Sequence, residues 1–487
     1  MVPRMNHSLP LSLSRRQMLQ TAACGFGGLV LHDMAASLAQ ASSGPLAIRA
    51  PHTAARAKRV IFLFMGGGPS QMDLFDPKPL ITKNHGNSVA PPVGDHEIRI
   101  GVEKYLAMGP MAPVRQRGQS GTKISDLMPQ LASVADELCL LRAMHTDNKA
   151  HVPATLQFHT GSTTESLPSM GSWISYGLGT ENENLPSFIS IQPPPDTRMY
   201  SSSFLPAAHQ GMTLHAPRSV GSDGIASYGE LSIKNLHDAD VKADATQQRR
   251  RIDFLQRMND RLLNRYETDM QMEGIIESFE LAFRMQTQAS QLLDLSGESQ
   301  ETVKLYGIDQ RRSNLAGRAC LLARRLSEAG VRFVQVSFSF WDHHGNIQSA
   351  LPNSCAATDS PVAGLIKDLK RRGLLDETLV LWSGEFGRSP WSQDLSGTSP
   401  FKKHGREHQH ESFCAWMAGG GVKPGTTYGA TDDFGYHGVE GKVHLHDLHA
   451  TMLHLLGLDH ERITYRHAGR NFRLTDVYGN VVQEILA

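Results

Sequence analysis

Six nearly continuous apolar stretches leave few folds open to this chain. They are RVIFLFM (Arg59 to Met65), ELCLLRAM (Glu137 to Met144), SFISIQ (Ser187 to Gln192), VRFVQVSF (Val331 to Phe338), TLVLWSG (Thr378 to Gly384) and SFCAWMAG (Ser412 to Gly419). A strand with one wet face alternates apolar and polar residues. A run that is apolar on both faces belongs in the middle of a covered sheet. Amphipathic helical patterns separate these runs, most clearly at Ser125 to Ala135, Leu315 to Ala329, Pro361 to Arg372 and His446 to Leu456. Buried strands alternating with helices predict an α/β fold, a three-layer αβα sandwich around a mainly parallel sheet. With 487 residues there is material for one large domain or two smaller ones. We expect one α/β domain over residues 58–487. Ala245 to Leu295 breaks the alternation, being charged, rich in Gln and Met and helical in period. It predicts a helical insertion at about residues 245–300. Residues 80–124 hold many Pro and Gly and read as a long surface excursion.

The first 41 residues read as an export signal. Ser14-Arg15-Arg16-Gln17-Met18-Leu19 has a twin-arginine pattern, Thr21 to Leu38 is weakly apolar, and Ala39-Gln40-Ala41 offers a small-x-small cleavage site. Residues 42–57 follow as a linker. The apolar part is too short and too polar, with His32 and Asp33 inside it, for a lasting membrane span. These features predict a periplasmic or extracellular protein whose partner during export is the twin-arginine translocase. Lys plus Arg equals Asp plus Glu at 48 each, so no overall field draws the chain to nucleic acid or anionic membrane. Cys139, Cys320 and Cys414 lie in apolar runs and read as buried thiols, and no CxxC pair suggests a cysteine zinc site.

Twelve of the 23 histidines fall between His343 and His467. Imidazole is the commonest metal ligand. In open α/β sheets ligands gather beyond the carboxyl ends of the strands. GGGPSQMDLFDPKP follows the first strand, and there Asp73 either reaches into a site or caps a turn. MHTDNKAHVP follows the second strand and opens a helix, placing His151 among N–H groups that favour anions. SFWDHHGN contains Asp342, His343 and His344. Residues two apart can face one ion, so Asp342 with His344 is the better pair, with a plain polar turn as the alternative. WSGEFGRSP carries Glu385, an oxygen ligand, and Arg388, whose guanidinium fork can hold an anionic oxygen. HGREHQHESF has His404, His408 and His410. His408 is nearest its centre, and a solvated loop is the competing reading. The histidines of VHLHDLHATMLHLLG fall on several helix faces and read as structural.

HVPATLQFHTG, from His151 to Gly161, resembles the nucleophile motif of sulfatases and phosphodiesterases of the alkaline phosphatase superfamily. That motif carries Cys, Ser or Thr, one residue, Pro, then a helix ending in Thr-Gly. Pro153, Thr160 and Gly161 match it, and His151 stands in the nucleophile's place. Thr155 replaces the Arg that sulfatases carry two residues after the proline. Gly384-Glu385-Phe386-Gly387 stands where superfamily members have Ser-Asp-His-Gly. More specifically, FMGGGPSQMDLFDPKP, WDHHGN, GEFGRSP, GREHQH, AGGGVKPGTTYGATDDFGYHG, LHDLHATMLHLLGLDH and GRNFRLTDVYG resemble the exported bacterial family known as domain of unknown function fifteen hundred and one. The resemblance implies an alkaline-phosphatase-like fold.

Read together, these residues predict a metal-dependent hydrolase of a phosphate or sulfate ester, small or polymeric. Asp73, Asp342, His344, Glu385 and His408 would hold one or two divalent ions (zinc, manganese, iron or calcium). His151 would serve as a further ligand, a proton carrier or a nitrogen nucleophile, and Arg388 would steady the anion. A non-catalytic exported binding or scaffold protein on the same fold is the competing reading.

Overall fold

The computed structural model describes residues 44–90, 105–220, 226–233, 291–394 and 400–487, with scattered helical positions between 249 and 289. The leader, 1–41, and most of the expected insertion at 245–300 lie outside the described residues.

The central sheet has ten strands, drawn from the whole described length. In chain order its members are β1 (Arg59–Phe64), β2 (Leu138–His145), β3 (Phe188–Ile191), β4 (Met212–His215), β5 (Ser232–Ile233), β6 (Phe333–Ser337) and β7 (Thr378–Ser383). A hairpin outside the sheet, β8 (Gly387–Ser392) with β9 (Arg406–Gln409), precedes its last strands, β10 (Phe413–Ala418), β11 (Thr426–Tyr428) and β12 (Val443–His444). The spatial order is β5-β4-β3-β6-β1-β7-β10-β2-β11, with β12 also pairing β2. Neighbours run parallel except β5 with β4, β7 with β10, and β10 with β2. The sheet is thus mainly parallel, as the unbroken apolar runs predict.

Both faces are covered, and the side chains of each strand divide between them. On β1, Ile61 and Leu63 join one core with Val334, Val336, Val380 and Trp382. Helices α3 (Asn314–Glu328) and α4 (Ile347–Arg371) pack there through Leu321, Leu322, Leu351 and Leu365. Val60, Phe62 and Phe64 point the other way, with Phe333, Leu379 and Leu381. They meet α1 (His151–Thr160), α2 (Met170–Leu178) and α5 (Leu445–Leu455) through Phe158, Trp173, Ile174, Leu448 and Met452. Strict alternation between two cores is the signature of a sheet buried on both sides.

Two local expectations change. The helix expected to begin at Pro361 begins at Ile347 and carries both Pro352 and Pro361 inside it. An interior proline costs about 3 kcal/mol, and the buried face through Leu351, Cys355, Val362, Ile366 and Leu369 offsets it. The helix expected over Ser125 to Ala135 shrinks to Pro129–Ala132. Within residues 44–57, Arg49 N–H donates to Leu178 O at 3.0 Å, and Thr53 N–H to Gly457 O at 3.0 Å.

Candidate metal centre

β6, β1 and β7 end level, Phe64 lying in register with Ser337 on one side and Ser383 on the other. Three loops therefore leave the sheet at one height, through Gly66-Gly67-Gly68, Trp341-Asp342 and Gly384-Glu385. β2 ends nearby at His145 and turns into α1, whose first residue is His151. The β8–β9 hairpin sets His408 opposite Arg388. Glycine is required where these loops meet. Gly67 has φ +113°, and a Cβ there would lie 2.4 Å from the Asp342 nitrogen. Gly68 has φ +78°, and a Cβ there would lie 2.7 Å from the Phe386 ring.

Four side chains converge at this end of the sheet. One ligand atom from each of His151, Asp342, His344 and His408 lies within 4.8 Å of all the others. Asp342 Oδ1 stands 2.8 Å from His344 Nε2, 3.3 Å from His151 Nε2 and 3.6 Å from His408 Nε2. His344 Nε2 and His408 Nε2 are 2.8 Å apart.

The far nitrogen of each imidazole is anchored. His408 Nδ1 donates to the Lys149 carbonyl at 2.7 Å, and His344 Nδ1 to Gln393 Oε1. His151 Nδ1 donates to Glu385 Oε1 at 2.7 Å. With Nδ1 carrying the hydrogen, each neutral ring turns its Nε2 lone pair toward the same point. Metal-ligating histidines are oriented in this way, by a carboxylate or carbonyl on the other nitrogen. Two lone pairs 2.8 Å apart repel unless a proton or a cation lies between them. His151 Nε2 is buried without a hydrogen bond, its nearness to Asp342 notwithstanding. A cation accepting four donors would satisfy these atoms together.

Charge adds to the picture. Burial alone would lower the basicity of His151, but the carboxylates of Asp342 and Glu385 overcome it and raise the imidazole to about 9. Burial would raise the Asp342 carboxyl. His151, His344, His408 and Arg388 instead hold it far below the usual carboxylate range. Burial, Arg388 and the other two imidazoles keep His408 low, against the pull of Asp342.

The remaining residues expected at the site have other positions. Asp73 does not join the cluster. Its oxygens accept from Arg406 Nε at 2.8 Å and Nη2 at 3.1 Å, and from the Met111 N–H at 2.8 Å, with both members of the ion pair fully buried. Glu385 is not among the converging donors. Both its oxygens accept the Gly67 N–H, at 3.0 and 3.1 Å, and Oε1 also holds His151. Arg388 is not open to an anion. Its side chain is 0% exposed and its fork is spent on Gly67 O, Gly68 O, Arg406 O and Asp342 Oδ1. His343 faces away, with Nε2 3.0 Å from Ser354 Oγ, and His404 Nδ1 lies 2.9 Å from Ser392 Oγ.

Sequence reasoning passed over Arg406, Gln393 and the Lys149 carbonyl. Arg406 lay in view inside GREHQH, its single arginine beside the histidines. A backbone carbonyl carries no residue signal. Phe386, whose ring carries no ligand atom, packs 4.5 Å from the His408 ring and 5.0 Å from the His151 ring.

A profile of the family described as "Protein of unknown function (DUF1501)" matches residues 57–486, and the chain belongs to this family. No curated protein matches it. Among solved structures it is similar to the PsFucS1 sulfatase from Pseudoalteromonas sp. The identity is 14% and the TM-score 0.36, covering 83% of this chain and 69% of that one. For the lipoteichoic acid synthase LtaP from Listeria monocytogenes the values are 10%, 0.36, 88% and 78%. For a TAB5 alkaline phosphatase mutant they are 11%, 0.29, 75% and 92%.

Proposed function

We propose that this member of the family is an exported, metal-dependent hydrolase of a phosphate or sulfate ester. The observation that supports this most is the convergence of three anchored imidazoles and one carboxylate at the carboxyl ends of the central strands. His151, Asp342, His344 and His408 would hold the cation. When bound, it supplies Lewis acidity toward an ester oxygen and makes a water more acidic at neutral pH.

The chain's own residues do the rest. Glu385 and Gln393 fix two of the rings, so that little motion is needed to present their nitrogens. Arg388 donates to Asp342 and steadies it. The Asp342 side chain is 45% exposed, which makes it the open side from which a substrate approaches. His151, rather than Ser, Thr or Cys, occupies the first position of α1, so water is the simplest nucleophile. The N-terminus of α1 faces the same region and favours an anionic group. The twin-arginine leader supports a periplasmic or extracellular setting, and the ester is a small molecule or a polymer.

One observation favours a second reading, an exported binding or scaffold protein that keeps the fold. Phe386 fills space against His151 and His408 with an inert ring. Plasma mass spectrometry of the mature protein, purified without chelator from a twin-arginine-competent host, separates the two. The hydrolase reading expects tightly held divalent metal, lost in Asp342→Ala and His408→Ala, together with turnover of nitrophenyl phosphate or sulfate. A folded protein that binds no added divalent metal would overturn it.

A further inference from the structure

Asp342 Oδ1 has four nitrogens around it. Three are the Nε2 atoms of His151, His344 and His408. The fourth is Arg388 Nη2, at 2.5 Å, and Nη1 of the same guanidinium lies 3.4 Å from His344 Nε2. The guanidinium cannot swing away, because it is wholly buried and donates to carbonyls from two separate segments, Gly67 and Gly68 in the loop after β1 and Arg406 in β9. Its charge is permanent at any working pH. It therefore stands as a fixed cation on the carboxylate that a pair of ions would have to share.

Resting on the metal-dependent reading above, we propose that this centre takes one borderline transition-metal ion per chain, with the Arg388 guanidinium occupying the place of a second cation on Asp342. A second divalent ion on that oxygen would lie against a buried positive charge, where the low dielectric strengthens repulsion. Other carboxylates that could support it are already engaged. Glu385 is held by the Gly67 N–H and His151, and Asp73 by Arg406 and the Met111 N–H. Among the described residues, His151, Asp342, His344 and His408 form the only group of His, Cys, Asp or Glu with ligand atoms so close together.

The donor set also selects the kind of ion. Three imidazole nitrogens and one carboxylate suit zinc, cobalt, iron or manganese. Calcium takes six to eight oxygens, and this cluster offers one carboxylate. Calcium, admissible from the sequence, is excluded by this set.

The test uses the full mature protein, stripped with chelator and re-equilibrated separately with excess zinc, cobalt(II) and calcium. After desalting, bound metal is counted by plasma mass spectrometry and the cobalt form is read by visible absorption. The expected result is one zinc or one cobalt per chain and no retained calcium. The cobalt bands should have the intensity of a four- or five-coordinate site and vanish on adding one equivalent of zinc. Two zinc or cobalt ions per chain, or stoichiometric calcium, would overturn the proposal.

Arg388→Gln and Arg388→Met test the guanidinium itself. A folded variant should admit a second, weaker cobalt, and a folded variant that still takes one would overturn the role given to Arg388. Should neither fold, the wild-type count still decides, since two ions beside an intact Arg388 cannot be reconciled with it. One ion without ester hydrolysis would sink the hydrolase reading and leave this proposal standing. Two ions with hydrolysis would do the reverse.

Discussion

Asp73→Asn separates a metal ligand from a structural anion. The native carboxylate pairs with Arg406, and all five guanidinium N–H donors of that arginine are placed. Nε and one Nη2 hydrogen go to Asp73, and the others to the carbonyls of Met108, Ser389 and Gly109. Both side chains are 0% exposed. An amide of the same shape keeps some hydrogen bonds but leaves Arg406 as an uncompensated buried charge. Removing one partner of a buried pair costs about 3–5 kcal/mol. The loss should appear as a lower guanidinium midpoint by tryptophan fluorescence, which is informative because Trp341, Trp382 and Trp416 are buried in the core. Metal held by the remaining folded protein should stay close to the wild-type count. Replacing the pair with apolar residues, Asp73→Leu with Arg406→Met, should recover part of the loss. A variant as stable as the parent but stripped of metal would refute this reasoning and return Asp73 to the ligand set.

Three other outcomes follow from the geometry. Glu385→Gln should weaken metal binding about 10–100-fold, the usual effect of altering the partner of a ligating histidine. Competition with a chromophoric chelator measures it, and unchanged affinity would mean that Glu385 does not orient His151. Gly67→Ala should abolish tight metal binding, because a Cβ would lie 2.4 Å from the Asp342 nitrogen at a positive φ; a variant that binds normally would show that this loop can shift. Acid should destabilise the fold early. Burial lowers His159 to about 4, and His209 and His449 to about 3, from 6.5 in the unfolded chain. Above pH 6.5 all three are neutral in both states. As pH falls from 6.5 toward 4, only the unfolded chain takes up their protons, so stability drops by up to about 1.4 kcal/mol per pH unit for each. Guanidinium midpoints at pH 7, 6 and 5 should fall steadily, and a flat profile would refute the burial of these rings as neutral groups.

The layered fold was legible because a strand buried on both faces writes itself as unbroken hydrophobicity, and six such runs can hardly be arranged otherwise. The start of the helix at Ile347 is hidden in the sequence because Pro361 has the look of a first-turn residue. Only the burial of Leu351 and Cys355 shows why the helix begins earlier. In the site, Asp342, His344 and His151 were visible as imidazoles and a carboxylate just past strand ends, where open α/β sheets gather ligands, and His408 as the central histidine of a cluster before a strand. The division of labour among charged groups was not visible. Asp73 and Glu385 read as oxygen donors as readily as Asp342 does. What distinguishes them is a partner more than 300 residues away, Arg406 for one and the Gly67 N–H for the other. Arg388 read as an anion clamp because five donors in a fork are normally available for one. Here three of its bonds go to backbone carbonyls that no residue type announces. A sequence reports which groups can ionise. Whether a charge is free to do chemistry or already committed to holding a loop depends on the backbone around it, and at this site that backbone makes one buried arginine part of the wall rather than part of the mouth.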